Sequence, residues 1–133
     1  MSEKLVFIKT FGCQMNAHDS QRMLEVLEAD GFGRAETPRQ AQLILINTCT
    51  VRERSRDKVL SAIGRYAPLK KTRPYLVLGV TGCLAQQEGA RLLKQAPGLD
   101  LVMSPDHIAS LPGLVARAQE GQRTVKVGFS DED

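Results

Sequence analysis

Three apolar, strand-like runs in this chain each end in a cysteine and lead into a helix-like segment. The runs are Leu5–Cys13, Leu43–Cys49 and Tyr75–Cys83. Strands that alternate with helices favour a parallel sheet covered on both faces, because each helix returns the chain to the start of the next strand. In such a sheet the carboxyl ends of the strands lie at one edge, where open α/β sheets bind their ligands. The pattern therefore predicts three thiols at one edge of one sheet.

Two shorter apolar runs complete the predicted sheet. Phe32–Glu36 is a candidate second strand and Leu99–Met103 a candidate last strand. We expect an α/β three-layer sandwich with a mostly parallel five-stranded sheet in the flavodoxin-like order 2-1-3-4-5, which makes the first, third and fourth strands neighbours. Residues 1–120 form the predicted domain, and the polar stretch 121–133 is interpreted as a tail or linker.

Composition favours a protein of reducing compartments. The 133 residues suit one domain, no apolar run approaches the roughly 18 residues of a membrane span, and the first residues lack an apolar signal core. We therefore expect a cytoplasmic protein with no membrane partner. In that setting three cysteines favour metal or redox chemistry over disulfides. A net charge of +3 is compatible with a polyanionic partner.

The three thiols, Cys13, Cys49 and Cys83, are the candidate metal ligands. A thiolate beside a helix N-terminus is stabilised by the free N–H groups there, and metals bind the deprotonated form. Closed 4Fe–4S clusters generally have four cysteine ligands, so three would leave one iron open. Two alternatives remain at this level. The cysteines could be inert in a non-catalytic α/β interaction module, or they could bind zinc with His18 as a fourth ligand.

Three polar residues lie next to these cysteines in the sequence. Asn16 and Asn47 are candidates for hydrogen bonds to cluster sulfurs, although Asn16 also suits a helix cap and Asn47 a buried polar group bonded to backbone. Arg52 is the basic residue nearest the second cysteine and is a candidate RNA phosphate contact.

Three motifs in this order resemble the N-terminal domain of the radical-SAM methylthiotransferases, over roughly Lys4 to Ala118. Three linked motifs are far more specific than one short pattern. They are Gly12–Asn16 (GCQMN) with Asp19-Ser20, Asn47–Glu53 (NTCTVRE), and Gly82-Cys83 with Ala85-Gln86.

The resemblance implies that Cys13, Cys49 and Cys83 ligate an auxiliary 4Fe–4S cluster with one open iron. It also implies a following radical-SAM domain with a second 4Fe–4S cluster and S-adenosylmethionine, and an RNA-binding module. GCQMN and TCTVRE are similar to the branch that thiomethylates isopentenyl-adenosine beside the tRNA anticodon. The other branch, which modifies an aspartate of a ribosomal protein, is the alternative.

The motif C-x-x-x-C-x-x-C of the radical-SAM domain does not occur in this sequence. We therefore expect an excised domain that has no catalytic residues of its own and is inactive alone. Within the longer transferase it would carry the auxiliary cluster.

Overall fold

One parallel sheet organises the described part of the chain. The computed structural model describes residues 4–11, 14–48, 53–82 and 89–126, apart from the side chains of 14–17, 53–56 and 105–106. Six strands lie in these ranges: β1 (Leu5–Thr10), β2 (Gly33–Arg34), β3 (Leu43–Thr48), β4 (Val77–Gly82), β5 (Leu101–Met103) and β6 (Thr124–Lys126). All adjacent pairs are parallel, and the order across the sheet is β2-β1-β3-β4-β5-β6.

The first five strands lie in the predicted order, but the expected count of five is wrong. The sixth strand, β6, pairs with β5, and the ladder is extended by bonds from Thr124 N to Asp100 O (3.0 Å) and from Ser104 N to Lys126 O (3.0 Å). It was missed because its three half-buried residues include only one apolar side chain, Val125. β6 lies within the stretch 121–133 that was interpreted as a tail or linker. The boundary between the domain and a following linker stays a prediction.

Four α-helices occur in the described residues: α1 (Gln14–Ala29), α2 (Glu53–Tyr66), α3 (Ala90–Gln95) and α4 (Leu111–Gln119). Short 3₁₀ helices occur at Pro38–Gln40, Ala67–Lys71 and Pro105–Ser110. Because α1 begins at Gln14, Asn16 lies inside the first turn and is not the helix cap. No helix in these ranges is both long and apolar enough to cross a membrane.

The helices cover both faces of the sheet, which confirms the α/β fold class. Successive strand residues point to opposite faces, so the four buried apolar residues of β3 serve two separate cores: Ile44 and Ile46 one, Leu43 and Leu45 the other. Burying each Leu or Ile side chain contributes about 1.5–3 kcal/mol. The first core joins the sheet to α2 and α3 through Val59, Ala62, Ile63, Tyr66, Leu92 and Ala96. The second joins the opposite face to α1 and α4 through Met23, Leu27, Leu111, Leu114, Val115 and Ala118.

Candidate metal centre at the carboxyl edge of the sheet

The three strands that precede the cysteines are neighbours and end together. Thr10 of β1 pairs with Asn47 of β3, and Asn47 pairs with Thr81 of β4. The next residues of β3 and β4, Thr48 and Gly82, also pair. Adjacent strands are about 4.8 Å apart, so the three strand ends span about 10 Å. The adjacency and the parallel direction predicted from the sequence are therefore confirmed.

The cysteines follow these strand ends in the sequence. Cys49 comes directly after β3, Cys83 directly after β4, and Cys13 closely after β1. All three lie outside the described residues, as do Arg52 and the side chain of Asn16. Their predicted roles in binding a cluster or RNA therefore stay predictions.

A row of polar side chains at the strand ends separates this edge from the apolar core. We call Thr10, Asn47 and Thr81 the polar row. Ser20 of α1 is hydrogen-bonded to two of them: its Oγ lies 2.7 Å from Thr10 Oγ1 and accepts a bond from Asn47 Nδ2 at 2.9 Å. Asn47 is completely buried and Ser20 is buried as well. One serine hydroxyl thus ties β1, β3 and α1 together beneath the carboxyl edge.

Two buried hydroxyls at this edge lack a partner. Among the described residues, Thr81 Oγ1 at the end of β4 and Ser104 Oγ just after β5 are the buried side-chain oxygens with no hydrogen bond. Leaving such a group unpaired costs about 1–3 kcal/mol. Hydroxyls donate readily to thiolate and sulfide sulfur, and outer-sphere donors of this kind tune cluster sites. Three thiols in the adjacent sequence and unused donors at the strand ends together fit a sulfur-rich cluster.

Gly82, the last residue before Cys83, has a backbone conformation and a close approach to β3 that require glycine. Its φ is +103°, and a Cβ built there would lie 2.1 Å from Thr48 O and 2.8 Å from Asn47 Oδ1. Backbone cannot tolerate such contacts, so only glycine allows the end of β4 to approach β3 this closely.

Sequence reasoning named Ser20 as part of a motif but missed its role as a buried link, and it missed the unpaired hydroxyls. Ser20 carried a usable signal, because it shares the buried face of α1 with Met23 and Leu27 at helical spacing. A polar residue on an apolar face needs a buried partner. Nothing local indicates that Thr81 and Ser104 lack partners, since that depends on elements distant in sequence.

The described residues hold no alternative metal site. In ranges 4–11, 14–48, 53–82 and 89–126, no group of three or more His, Cys, Asp or Glu side chains converges as a metal would require. The side chain of His18, the candidate zinc ligand, is exposed to solvent.

Comparison with known proteins places the chain in a family. Residues 5–104 match the family described as "Uncharacterized protein family UPF0004". The chain belongs to this family. Three relatives similar to this UPF0004 chain are each named tRNA-2-methylthio-N(6)-dimethylallyladenosine synthase. The relative from an Anaeromyxobacter species is 53% identical over 95% of this chain and 27% of its own length.

The other two relatives have the same name and a similar sequence identity to this chain. The protein from Myxococcus xanthus is 49% identical over 98% of this chain and 28% of its own length, and that from Cereibacter sphaeroides is 46% identical over 100% and 31%. The resemblance of this UPF0004 chain to methylthiotransferases is therefore confirmed. The chain spans less than a third of the length of these curated relatives.

Proposed function

We propose that this chain is the auxiliary 4Fe–4S cluster domain of a tRNA methylthiotransferase that adds a methylthio group to isopentenyl-adenosine next to the anticodon. The names of the relatives support the reaction and the tRNA substrate. The observation that carries the cluster assignment is the common end of β1, β3 and β4, since the sequence continues from each into a cysteine.

In this proposal Cys13, Cys49 and Cys83 hold the cluster as thiolates. When bound, the cluster supplies an open iron at which a small sulfur species can be held. The chain's own residues bind and orient it. Thr81 would offer its unused hydroxyl to a cluster sulfur, while Asn47 fixes the strand end through Ser20. Asn16 is proposed as a further hydrogen-bonding neighbour of the cluster, and Arg52 as an RNA phosphate contact.

The remaining chemistry belongs to other parts of the longer enzyme. A radical-SAM domain with its own 4Fe–4S cluster and S-adenosylmethionine would generate the radical, and an RNA-binding module would help to hold the tRNA. We place this enzyme in the cytoplasm, and we expect the 133-residue chain alone to be inactive.

Anaerobic reconstitution with iron and sulfide tests the cluster assignment. The chain should incorporate about four irons and four sulfides and show the charge-transfer absorption of a 4Fe–4S cluster. Single replacements by Ala at Cys13, Cys49 and Cys83 should each impair incorporation. His18→Ala is the matched control because this side chain is exposed, and it should load normally.

Two outcomes would contradict the proposal. Full incorporation into the triple cysteine variant would show that these thiols are not the ligands. Stoichiometric zinc in anaerobically purified protein, reduced by His18→Ala, would identify a zinc-stabilised fold instead. Purification must exclude oxygen, because an open cluster is exposed to oxidants.

A further inference from the structure

A groove lined by basic residues lies beside the carboxyl end of β1. It has a volume of about 320 Å³ and runs between β1 and the exposed flank of α2. Among the described residues that line it, three are cations and one is a carboxylate. The lining residues are Lys9, Phe11, Asp57, Lys58, Ser61 and Arg65.

The cations of this groove are less engaged by the described residues than several other cations are. The side chains of Lys9, Lys58 and Arg65 form no ion pair or hydrogen bond with described residues. Lys9 contacts only a ring, its Nζ lying 5.4 Å from the centroid of Phe11.

Five other basic side chains in the described ranges are used by the fold. Lys4 pairs with Asp30, Arg34 with Glu28, and Lys70 with Asp100. Arg73 and Arg123 donate to backbone carbonyls. Lys9, Lys58 and Arg65 have no such role among the described residues, and the groove gathers these three cations on one surface.

The spacing of the cations suits an extended polyanion. Lys58 and Arg65 are seven residues apart on α2, which is about 10 Å along the helix axis. Lys9 lies across the groove on β1. Charges spread along a groove follow successive phosphates of a nucleic-acid strand. The Phe11 ring adds an aromatic surface at the end of the groove, next to Gly12-Cys13 in the sequence.

We infer that this groove binds the phosphate backbone of single-stranded RNA and leads the strand to the carboxyl edge of the sheet. Lys9, Lys58 and Arg65 contact phosphates, and Phe11 lies where the strand leaves the groove for the edge. The inference rests on the proposed function, because it names the surface through which this domain holds the RNA that is to be modified.

A charge-removal experiment on the intact chain tests this surface. The probe is a labelled single-stranded RNA of about 12 nucleotides, titrated by fluorescence anisotropy at several salt concentrations. The double variant Lys58→Ala/Arg65→Ala removes two exposed groove cations from a helix without touching either core. Loss of two phosphate contacts should lower the salt slope by about 1.4 and the affinity about twenty-five-fold at 0.1 M salt.

The matched control removes the same charge elsewhere. Arg22 and Arg117 are exposed and lie on α1 and α4, which cover the opposite face of the sheet from α2. Arg22→Ala/Arg117→Ala should leave the affinity within about twofold, because the sheet separates these charges from the groove and electrostatic contacts are screened beyond about 10 Å. Circular dichroism checks that both variants keep the wild-type helix content.

Three results would overturn the inference. One is an unchanged affinity in the groove variant, and another is an equal loss in both variants. The third is displacement of the RNA by polyglutamate of equal charge as effectively as by unlabelled RNA, which would indicate a face for an acidic protein partner. Iron loading is measured on the same samples. If the groove variant loses RNA affinity but the chain binds no cluster, the groove inference stands and the cluster assignment is refuted. If the chain loads iron normally but the groove variant keeps its RNA affinity, the cluster assignment stands and the groove inference is refuted.

Discussion

The two ends of the parallel sheet differ in how their polar groups are used. At the amino ends, long side chains fasten the strands: Gln42 Oε1 accepts from Leu5 N at 2.8 Å, Arg73 donates to Ala41 O, and Asp100 accepts from Leu78 N at 3.0 Å. At the carboxyl ends, short hydroxyl side chains are buried, and Thr81 Oγ1 and Ser104 Oγ have no partner among the described residues.

This contrast distinguishes the amino edge, where side chains fasten the backbone, from the carboxyl edge, where we propose that the cluster binds. Arg123 shows the structural use most clearly, because its guanidinium donates to the carbonyls of Leu93, Ala96 and Leu99 just before β5. Such bonds satisfy backbone groups that would otherwise be lost to solvent or left unpaired. The carboxyl edge instead has two buried hydroxyls, of Thr81 and Ser104, without a hydrogen-bond partner among the described residues, which supports the proposed ligand site there.

The largest expected effect concerns Gly82 at the carboxyl edge. Gly82→Ala should destabilise the chain by about 2–4 kcal/mol, because alanine is strained at φ +103° and its Cβ would clash with Thr48 O. Urea denaturation followed by circular dichroism measures the change. Gly64→Ala in α2 is the control: a Cβ there meets nothing within 4 Å, so stability should rise by about 0.5–1 kcal/mol. Equal behaviour of the two variants would show that the strand ends do not approach as described.

At the amino edge, Asp100→Ala should cost about 2 kcal/mol. The variant leaves Leu78 N without its acceptor and removes the partner of the mostly buried Lys70 ammonium. Asp100→Asn should recover about half of the loss in urea denaturation, since its carbonyl oxygen can still accept from Leu78 N. If Asn is no better than Ala, the ion pair rather than the backbone bond fastens this edge.

Ser20→Ala should cost about 1–1.5 kcal/mol, because Asn47 Nδ2 loses this acceptor and the Thr10 hydroxyl loses its neighbour. The exposed hydroxyl of Ser61 on α2 provides the comparison, and Ser61→Ala should change the free energy of unfolding by less than about 0.5 kcal/mol. Similar losses in both variants would argue against a buried link through Ser20.

The smallest effect has the opposite sign. Thr81→Val should stabilise the chain without cofactor by about 0.5–1 kcal/mol, because it removes an unpaired buried hydroxyl while keeping the shape. Thr10 lies at the end of β1, on the opposite side of β3 from β4. Thr10→Val should destabilise the chain by about 1 kcal/mol, because the Thr10 hydroxyl is hydrogen-bonded to Ser20. A destabilising Thr81→Val in urea denaturation would mean that its hydroxyl is already satisfied.

The strands that could be predicted from the sequence are those with continuous apolar runs. β1, β3 and β4 were predicted because their residues are nearly all apolar or β-branched. All residues of β3 and β4 are buried, whereas in β1 only Val6 is. β6 was not, because an edge strand of three half-buried residues is defined by its partner β5 and carries no pattern of its own.

The candidate site likewise has one part that could be predicted from the sequence and another that could not. Cysteine is rare and chemically distinctive, so its position after three strands could be interpreted at once. The amino-edge fasteners could not, since Arg123 and its carbonyl partners are 24 to 30 residues apart and look like ordinary surface sequence. The groove cations Lys9 and Arg65 were overlooked for the same reason: they become neighbours only when α2 packs against the sheet.

The position of α4 has a practical consequence for anyone dividing this protein into pieces. The family match stops at residue 104, yet Leu111, Leu114 and Val115 of α4 cover Met23 and Leu27 on one side of the sheet. A chain that ends at residue 104 would expose that apolar surface to water and should aggregate during purification. The segment matched by the family is thus shorter than the segment that buries this core.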